Sequence, residues 1–268
     1  TNNGAFNFVT KPFTPQELKA AMENITKHLF LKRISRKMHE EGQQLRFQFL
    51  SVLSHELKSP VNAIEGYLQV MKDKQVGNNI DDYKVMIDRS LERLKGMRTL
   101  ITDLLDLTKI ESGVKTRDFK QIDITEVFRV ARDTIEPLAQ QRNVKVHPVQ
   151  EEEIYINADR GEMEIIFNNL LSNAVKYNRD GGEVTVDLKK QNGSLEIVVE
   201  DTGIGMSDDE ISKLFGEFVR IRNMKTKNIT GSGLGLSIVK KLVEMYDGDI
   251  RVESQPDVGS KFTVTLSG

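Results

Sequence analysis

No cysteine occurs in the 268 residues, which excludes disulfides, thiolate metal sites and thiol nucleophiles. Tryptophan is absent as well, and aromatic residues make up only 6% of the chain, as fits a helix-rich protein. There is no excess charge of either sign. Forty acidic residues stand against 38 basic ones, so no global field draws the chain to nucleic acid or to an anionic membrane surface. Any anion it binds must be held locally. No apolar stretch approaches the roughly 20 residues that span a bilayer, and the first residues lack the basic-then-apolar layout of a secretory signal. Internal repeats and low-complexity segments are also missing. A cytoplasmic protein without a membrane segment is expected, long enough to form more than one cored unit.

What is present divides along the chain. The stretch Gly4 to Phe13 has the apolar density of a short strand and runs into a helix. Thr14 is suited to the N-cap, Pro15 to the first helical position and Glu17 to the capping box. One strand and one helix cannot form a core, so residues 1–30 read as the tail of a larger domain. They resemble the last strand and helix of a response-regulator receiver domain, in which a Lys-Pro pair ends the strand beside the phosphorylation pocket. That resemblance implies a phosphoryl contact for Lys11, a cis peptide before Pro12, and an N-terminal receiver in the full-length protein. From Gln16 to Ser59 there is no proline, and Leu18, Met22, Ile25, Leu29, Ile34, Met38, Leu45, Phe49 and Val52 recur at coiled-coil spacing with one phase slip. This predicts a continuous helix, residues 31–44 serving as linker. A second helical pattern follows the turn-forming Gly77-Asn78-Asn79 and ends near Ser112-Gly113. Residues 45–113 therefore predict a helical hairpin with wide apolar faces, which a homodimeric four-helix bundle would bury. A monomeric hairpin docked on the C-terminal domain is the alternative. Residues 114–268 change to mixed texture. Helices are expected at about 123–142, 160–178 and 234–247, and half-buried strands at 183–188, 195–200 and 262–266. Strands backed by helices on one face predict an α+β sandwich.

Three elements of this last region suit a nucleotide. On the helix from Arg160, the residues Met163, Ile166, Phe167, Leu170, Leu171 and Ala174 form an apolar face, while Asn169, Asn173, Lys176 and Tyr177 project from another. Amide oxygens suit a hard cation and an ammonium offsets phosphate charge, a pattern fitting Mg-polyphosphate. In isolation an ordinary polar helix face is the better reading. Asp201-Thr202-Gly203-Ile204-Gly205 directly follows an apolar strand. An aspartate there can accept a hydrogen bond from an exocyclic amine, and glycines let backbone approach a flat base. Gly231-Ser232-Gly233-Leu234-Gly235 opens an amphipathic helix, whose N-terminal N–H groups and dipole favour phosphate. It is neither a Walker loop nor a dinucleotide fingerprint. Between the two glycine elements lie Phe215, Phe218, Arg220, Arg222, Lys225, Lys227 and Asn228. Apolar anchors followed by basic residues suit a lid over a nucleotide, with Arg220 among its contacts.

More than a hundred residues upstream, Ser54-His55-Glu56-Leu57-Lys58-Ser59-Pro60 sets a titratable imidazole beside a carboxylate on a predicted helix. Alone, that pair is equally a solvated surface without chemistry. Pro60 cannot donate to the carbonyl of Glu56 and so loosens the helix one turn below the histidine. His28, His39 and His147 lack such a context.

Taken in order, His55-Glu56-x-x-x-Pro60, Asn169-x-x-x-Asn173-x-x-Lys176-Tyr177, Asp201-x-Gly203-x-Gly205, Phe215-x-x-Phe218 and Gly231-x-Gly233-x-Gly235 resemble a sensor histidine kinase over nearly everything after residue 40. The resemblance implies a dimerisation and phosphotransfer hairpin followed by a Bergerat-type ATP-binding domain. It implies ATP and Mg2+ as cofactors, His55 as phosphoacceptor and Glu56 as the group that orients it. Asn173 would hold the metal, Lys176 and the Gly231, Gly233 and Gly235 loop would hold phosphates, and Asp201 with Gly203 and Gly205 would read adenine. Asn169 and Tyr177 would support the two ends of the site. A response-regulator receiver is the implied partner. Related Bergerat ATPases typically carry a water-activating glutamate where this chain has Asn169, and an amide cannot act as general base. Ser59 stands where the family often has threonine or asparagine linked to phosphatase activity, which leaves that activity open. Two alternatives to the kinase are a nucleotide-binding signalling scaffold without phosphotransfer and a plain ATPase.

Overall fold

The computed structural model describes residues 51–112, 117–147 and 152–267 apart from 192, 222, 227, 228 and 230, together with positions 14, 19, 22, 26, 28, 29 and 32. The expectations for Lys11, Pro12, the cap at Pro15 and Glu17, and the linker beyond Lys32 lie outside the described residues. The chain forms two compact units, Thr1–Asp73 and Lys74–Gly268.

In the first unit the described N-terminal positions Lys19, Met22, Thr26, His28, Leu29 and Lys32 are helical. Helix α1 covers 51–72 and passes through Pro60 without a break. Its Val52, Val61 and Leu68 are exposed apolar residues.

The second unit opens on a tight connection. The Tyr83 hydroxyl donates to the Gly77 carbonyl (2.7 Å) and accepts from the Gly77 N–H (3.1 Å), while Asp82 accepts from the Asn79 N–H at 3.0 Å. This chemistry fixes the short 3-10 helix Ile80–Tyr83, which leads into α2 (Lys84–Ser112). Among the described residues no helix is long and apolar enough to cross a membrane.

After α2 come β1 (Phe119–Asp123), α3 (Ile124–Gln141), β2 (Lys145–Val146), β3 (Tyr155–Asp159), α4 (Arg160–Lys176), β4 (Glu183–Gln191) and β5 (Ser194–Asp201). The chain continues through α5 (Asp208–Ile211), α6 (Gly235–Met245), β6 (Asp249–Gln255) and β7 (Gly259–Leu266). Five strands form a mixed sheet in the order β2-β4-β5-β7-β6, with β2 parallel to β4 and the other pairs antiparallel. β1 and β3 make a separate antiparallel pair. Alternation places Val186, Val199 and Phe262 in one cross-strand row and Leu188, Ile197 and Val264 in another, all buried. Against these rows lie the buried faces of α3, α4 and α6, with Phe128 of α3 and Phe167 of α4 meeting edge to face at 5.9 Å. Burying a side chain of this size contributes about 1.5–3 kcal/mol. The helical region followed by a layered α/β domain is the predicted architecture. The left-handed residue after α6 is Asp247 (φ 48). Gly248 is required for close approach, because a Cβ there would stand 2.1 Å from the Thr265 carbonyl oxygen.

Candidate active site

Helix α4 is placed by its N-cap: the Asp159 side chain accepts from the Glu162 N–H at 3.2 Å. The predicted apolar face, Met163, Ile166, Phe167, Leu170, Leu171 and Ala174, is buried. That burial turns Asn169, Asn173 and Lys176 to the opposite, half-buried side, and Tyr177 is the C-cap. The Asn169 Nδ2 donates to the Ile165 carbonyl at 2.9 Å, which fixes the amide and turns its Oδ1 toward α6. A Cβ on Gly235 would stand 2.3 Å from that oxygen. Burial pushes the Lys176 ammonium below the usual lysine range; the carboxylate of Asp103 on α2 opposes this and Lys95 adds to it.

Asp201 ends β5 and is 6% exposed. Its Oδ1 accepts from the Gly203 N–H at 2.8 Å. Burial raises its pKa to about 6, backbone hydrogen bonds from Gly203 and Ser260 pull it back, and the charge of Glu200 adds to the rise. The loop beyond leaves no room for side chains. Gly205 has φ +61, and a Cβ there would meet the Gln255 carbonyl oxygen at 1.9 Å. The turn is tied to α4 by the Ile204 N–H donating to the Tyr177 carbonyl (3.0 Å) and to β6 by the Met206 N–H donating to Ser254 Oγ (2.8 Å). Buried Asn178 donates to the Glu183 carbonyl at 3.0 Å, and Thr202 Oγ1 accepts from the Glu183 N–H at 2.9 Å. Both tie the start of β4 to the segments that flank Asp201.

The second glycine element packs on the lid segment. Gly233 has φ +75, and its Cβ would lie 2.8 Å from the Phe218 carbonyl carbon. The N-cap of α6 is Leu234, which has no side-chain oxygen for the first turn. Leu234 N–H instead donates to Ser232 Oγ at 3.1 Å, and the Ser232 hydroxyl donates to Asp103. In the lid, Arg220 donates to the Ile229 carbonyl at 2.6 Å. Its charge moderates the upward, burial-driven shift of the Tyr177 phenol.

The predicted residues of this unit therefore converge along α4. Asn169 meets Gly235, Lys176 faces the carboxylate that holds Ser232, and Tyr177 lies between Arg220 and the Asp201 turn. Gly231 has open space around it. His55, Glu56 and Ser59 lie on α1 in the other unit, His55 and Ser59 exposed and Glu56 half-buried. Among the described residues no cluster of three His, Cys, Asp or Glu could hold a metal alone. Asn173 itself offers an amide oxygen, a donor type that fits a magnesium ion taking most of its oxygens from phosphate and water. His147 pairs with Glu183 at 3.1 Å. Sequence reasoning missed Asp103, Asn178 and Thr202. Asp103 carries no local signal, since it is one polar position among many on α2.

Comparison with known proteins covers both units. Residues 32–113 match the His Kinase A (phospho-acceptor) domain, and residues 158–267 match the histidine kinase-, DNA gyrase B- and HSP90-like ATPase. The chain is 32% identical over 229 residues to sensor histidine kinase RcsC of Escherichia coli (strain K12), covering 85% of this chain and 24% of that protein. It is 32% identical over 240 residues to the autoinducer 2 sensor kinase/phosphatase LuxQ of Vibrio parahaemolyticus, covering 87% of this chain and 28% of that one. The chain thus spans about a quarter of the length of these relatives. In fold it resembles the Acinetobacter baumannii histidine kinase AdeS (TM-score 0.64, 22% identity, 80% of this chain and 97% of that one). It also resembles histidine kinase ThkA solved in complex with response regulator protein TrrA (TM-score 0.65, 21% identity, 82% of this chain and 60% of that one).

Proposed function

Because the matched phospho-acceptor and ATPase domains make this chain a member of the sensor histidine kinases, we propose that it transfers the γ-phosphoryl group of ATP to His55. The observation that carries this reading is the union, on one chain, of the His55-Glu56 helix with a site whose first polar position is Asn169 rather than a glutamate. An amide cannot activate water, so the phosphoryl group passes to a side chain.

Each residue then has a task. The buried Asp201 carboxylate accepts from the exocyclic amine of adenine, and the glycines at 203 and 205 let the turn beside it pack closely on the Tyr177 and Gln255 carbonyls. Tyr177 and Arg220 flank that end. At the other end Lys176 and the amides of the Gly231 to Gly235 loop offset phosphate charge. Asn173 holds Mg2+, which when bound draws charge from the transferring group. Asn169 braces the first turn of α6. Glu56 accepts a hydrogen bond from one ring nitrogen of His55, so that the other presents its lone pair. The N–P bond forms as the bond from γ-phosphorus to the bridging oxygen breaks; ADP leaves, and Glu56 offsets the positive charge on the ring.

The phosphoryl group then passes from His55 to an aspartate of a response-regulator receiver, and the chain works as a homodimer through its helical unit. Ser59, one turn from His55, is the residue through which the chain would hydrolyse the phosphorylated partner. In the longer protein, residues 1–30 close a receiver domain. Incubation with γ-labelled ATP and Mg2+ tests the core of this. Acid-labile, base-stable label is expected on the wild-type protein and is absent from His55→Gln and Asn173→Ala. Nucleotide binding without label on the wild-type protein would establish a scaffold instead.

A further inference from the structure

A carboxylate from α2 occupies the phosphate end of the site. The Ser232 hydroxyl donates to Asp103 while its Oγ accepts from the Leu234 N–H at 3.1 Å. That amide belongs to the glycine loop, whose N–H groups are what a phosphate needs. The same carboxylate lies in the field of Lys176, the cation assigned to the phosphates. A second clasp lies further along the same two helices: Lys241 of α6 pairs with Glu111 of α2, and with Glu217 of the lid at 2.7 Å. Both clasps join α2, which lies within the phospho-acceptor match, to the loop and helix that would carry the phosphates.

We propose that Asp103 is an internal competitor of the nucleotide's phosphates, a latch that holds α2 on the glycine loop until ATP displaces it. The inference rests on the ATP-binding reading above and adds the regulation of that site. An incoming phosphate and Asp103 carry the same sign and want the same partners, the Leu234 amide by way of Ser232 and the Lys176 ammonium. They cannot both be satisfied at close range, because two anions sharing one site repel. Phosphate binding therefore turns Ser232 away from Leu234 and releases Asp103, leaving the Lys241–Glu111 pair as the remaining clasp on α2. By reciprocity, anything that pulls α2 away raises nucleotide affinity by the same factor. Burial raises the Asp103 pKa, the Ser232 hydrogen bond and the Lys176 charge hold it down, and the charge of Asp106 adds to the rise.

The test is the affinity of adenosine, ADP and a non-hydrolysable ATP analogue, with Mg2+, for wild type, Asp103→Ala and Ser232→Ala. Circular dichroism and the unfolding midpoint check that each variant is folded. Removing one charge-assisted hydrogen bond from the unbound state predicts roughly a five- to twentyfold gain for ADP and the ATP analogue in Asp103→Ala. No gain is expected for adenosine, which has no phosphate to compete. Asp103→Asn keeps an acceptor for Ser232 without the charge and should gain less. An unchanged or weaker ATP-analogue affinity in folded Asp103→Ala, or an equal gain for adenosine, overturns the latch while leaving the nucleotide site standing. Failure of wild type and Asp103→Ala to bind any of the three ligands overturns both readings.

Discussion

Asp201 is the residue whose chemistry is most sharply set by its surroundings. Burial at the end of β5 raises its pKa to about 6, against two backbone donors that favour the ionised form. The folding linkage has a definite sign: a raised carboxylate pKa contributes stability at low pH that is lost as the pH rises through about 6. Adenine recognition runs the other way, since the ionised form is the better acceptor. Adenosine, whose own groups do not titrate in this window, should lose affinity about threefold to tenfold between pH 7.5 and 5.5, measured by calorimetry or NMR titration. Asp201→Asn should bind weakly at both values. An adenosine affinity flat across that range would show that the Asp201 carboxylate is not the adenine contact. Asp201, Asn169, Asn173 and Lys176 stood out in the sequence through the joint occurrence of the helix offsets and the glycine patterns, since each alone also reads as a polar helix face or a tight turn. Asp103 and Asn178 were not legible, because their partners lie 129 and 5 residues away and only the folded chain shows which contacts matter.

The elements are held by a buried polar cluster remote from the nucleotide. Arg117, in the segment after α2, grips Glu162 at the start of α4 through two nitrogens (3.1 and 2.8 Å). It also donates to the Met245 carbonyl at the end of α6 and lies over the rings of Phe119 and Tyr246. The Tyr246 hydroxyl donates to Glu162 (2.7 Å) and accepts from the Asp159 N–H (3.0 Å). Burial and Glu162 push that phenol up to about 12, so it stays a donor at any working pH. The cluster thus fixes the distance between the two helices that carry Asn169 and Gly235. Tyr246→Phe leaves a buried carboxylate and an N–H each short of a partner, which costs about 1–3 kcal/mol. Urea unfolding should show a lower midpoint with an unchanged slope; a loss below about 0.5 kcal/mol would mean that Arg117 alone satisfies Glu162. Legibility of the elements followed the same physics. Strands β4, β5 and β7 lie in the middle of the sheet and bury every second residue, so alternation revealed them. Strand β6 at the edge is only half-buried on its inner face. β1 and β3 form a separate pair, and β2 has two residues. Their patterns are too short or too diluted by polar residues to stand out.

At the scale of the whole chain, the proposed reaction is divided between a unit that carries His55 and a unit that carries the residues suited to ATP. The division fits the near-neutral composition: a chain without excess charge can handle a polyphosphate when the charge is placed locally, by Lys176 and the glycine loop, rather than spread over the surface. It also explains why Asn169 matters more than its modest contacts suggest. With no general base at that position, water is a poor acceptor, which favours the proposed transfer to His55. The direct measurement is the fate of the γ-phosphate in a single turnover, followed as protein-bound label against free phosphate. The account predicts that in the wild-type protein label appears on His55 in step with ADP, while His55→Gln forms neither label nor ADP at a comparable rate. Free phosphate released equally fast by wild type and His55→Gln would contradict it and make the chain an ATPase.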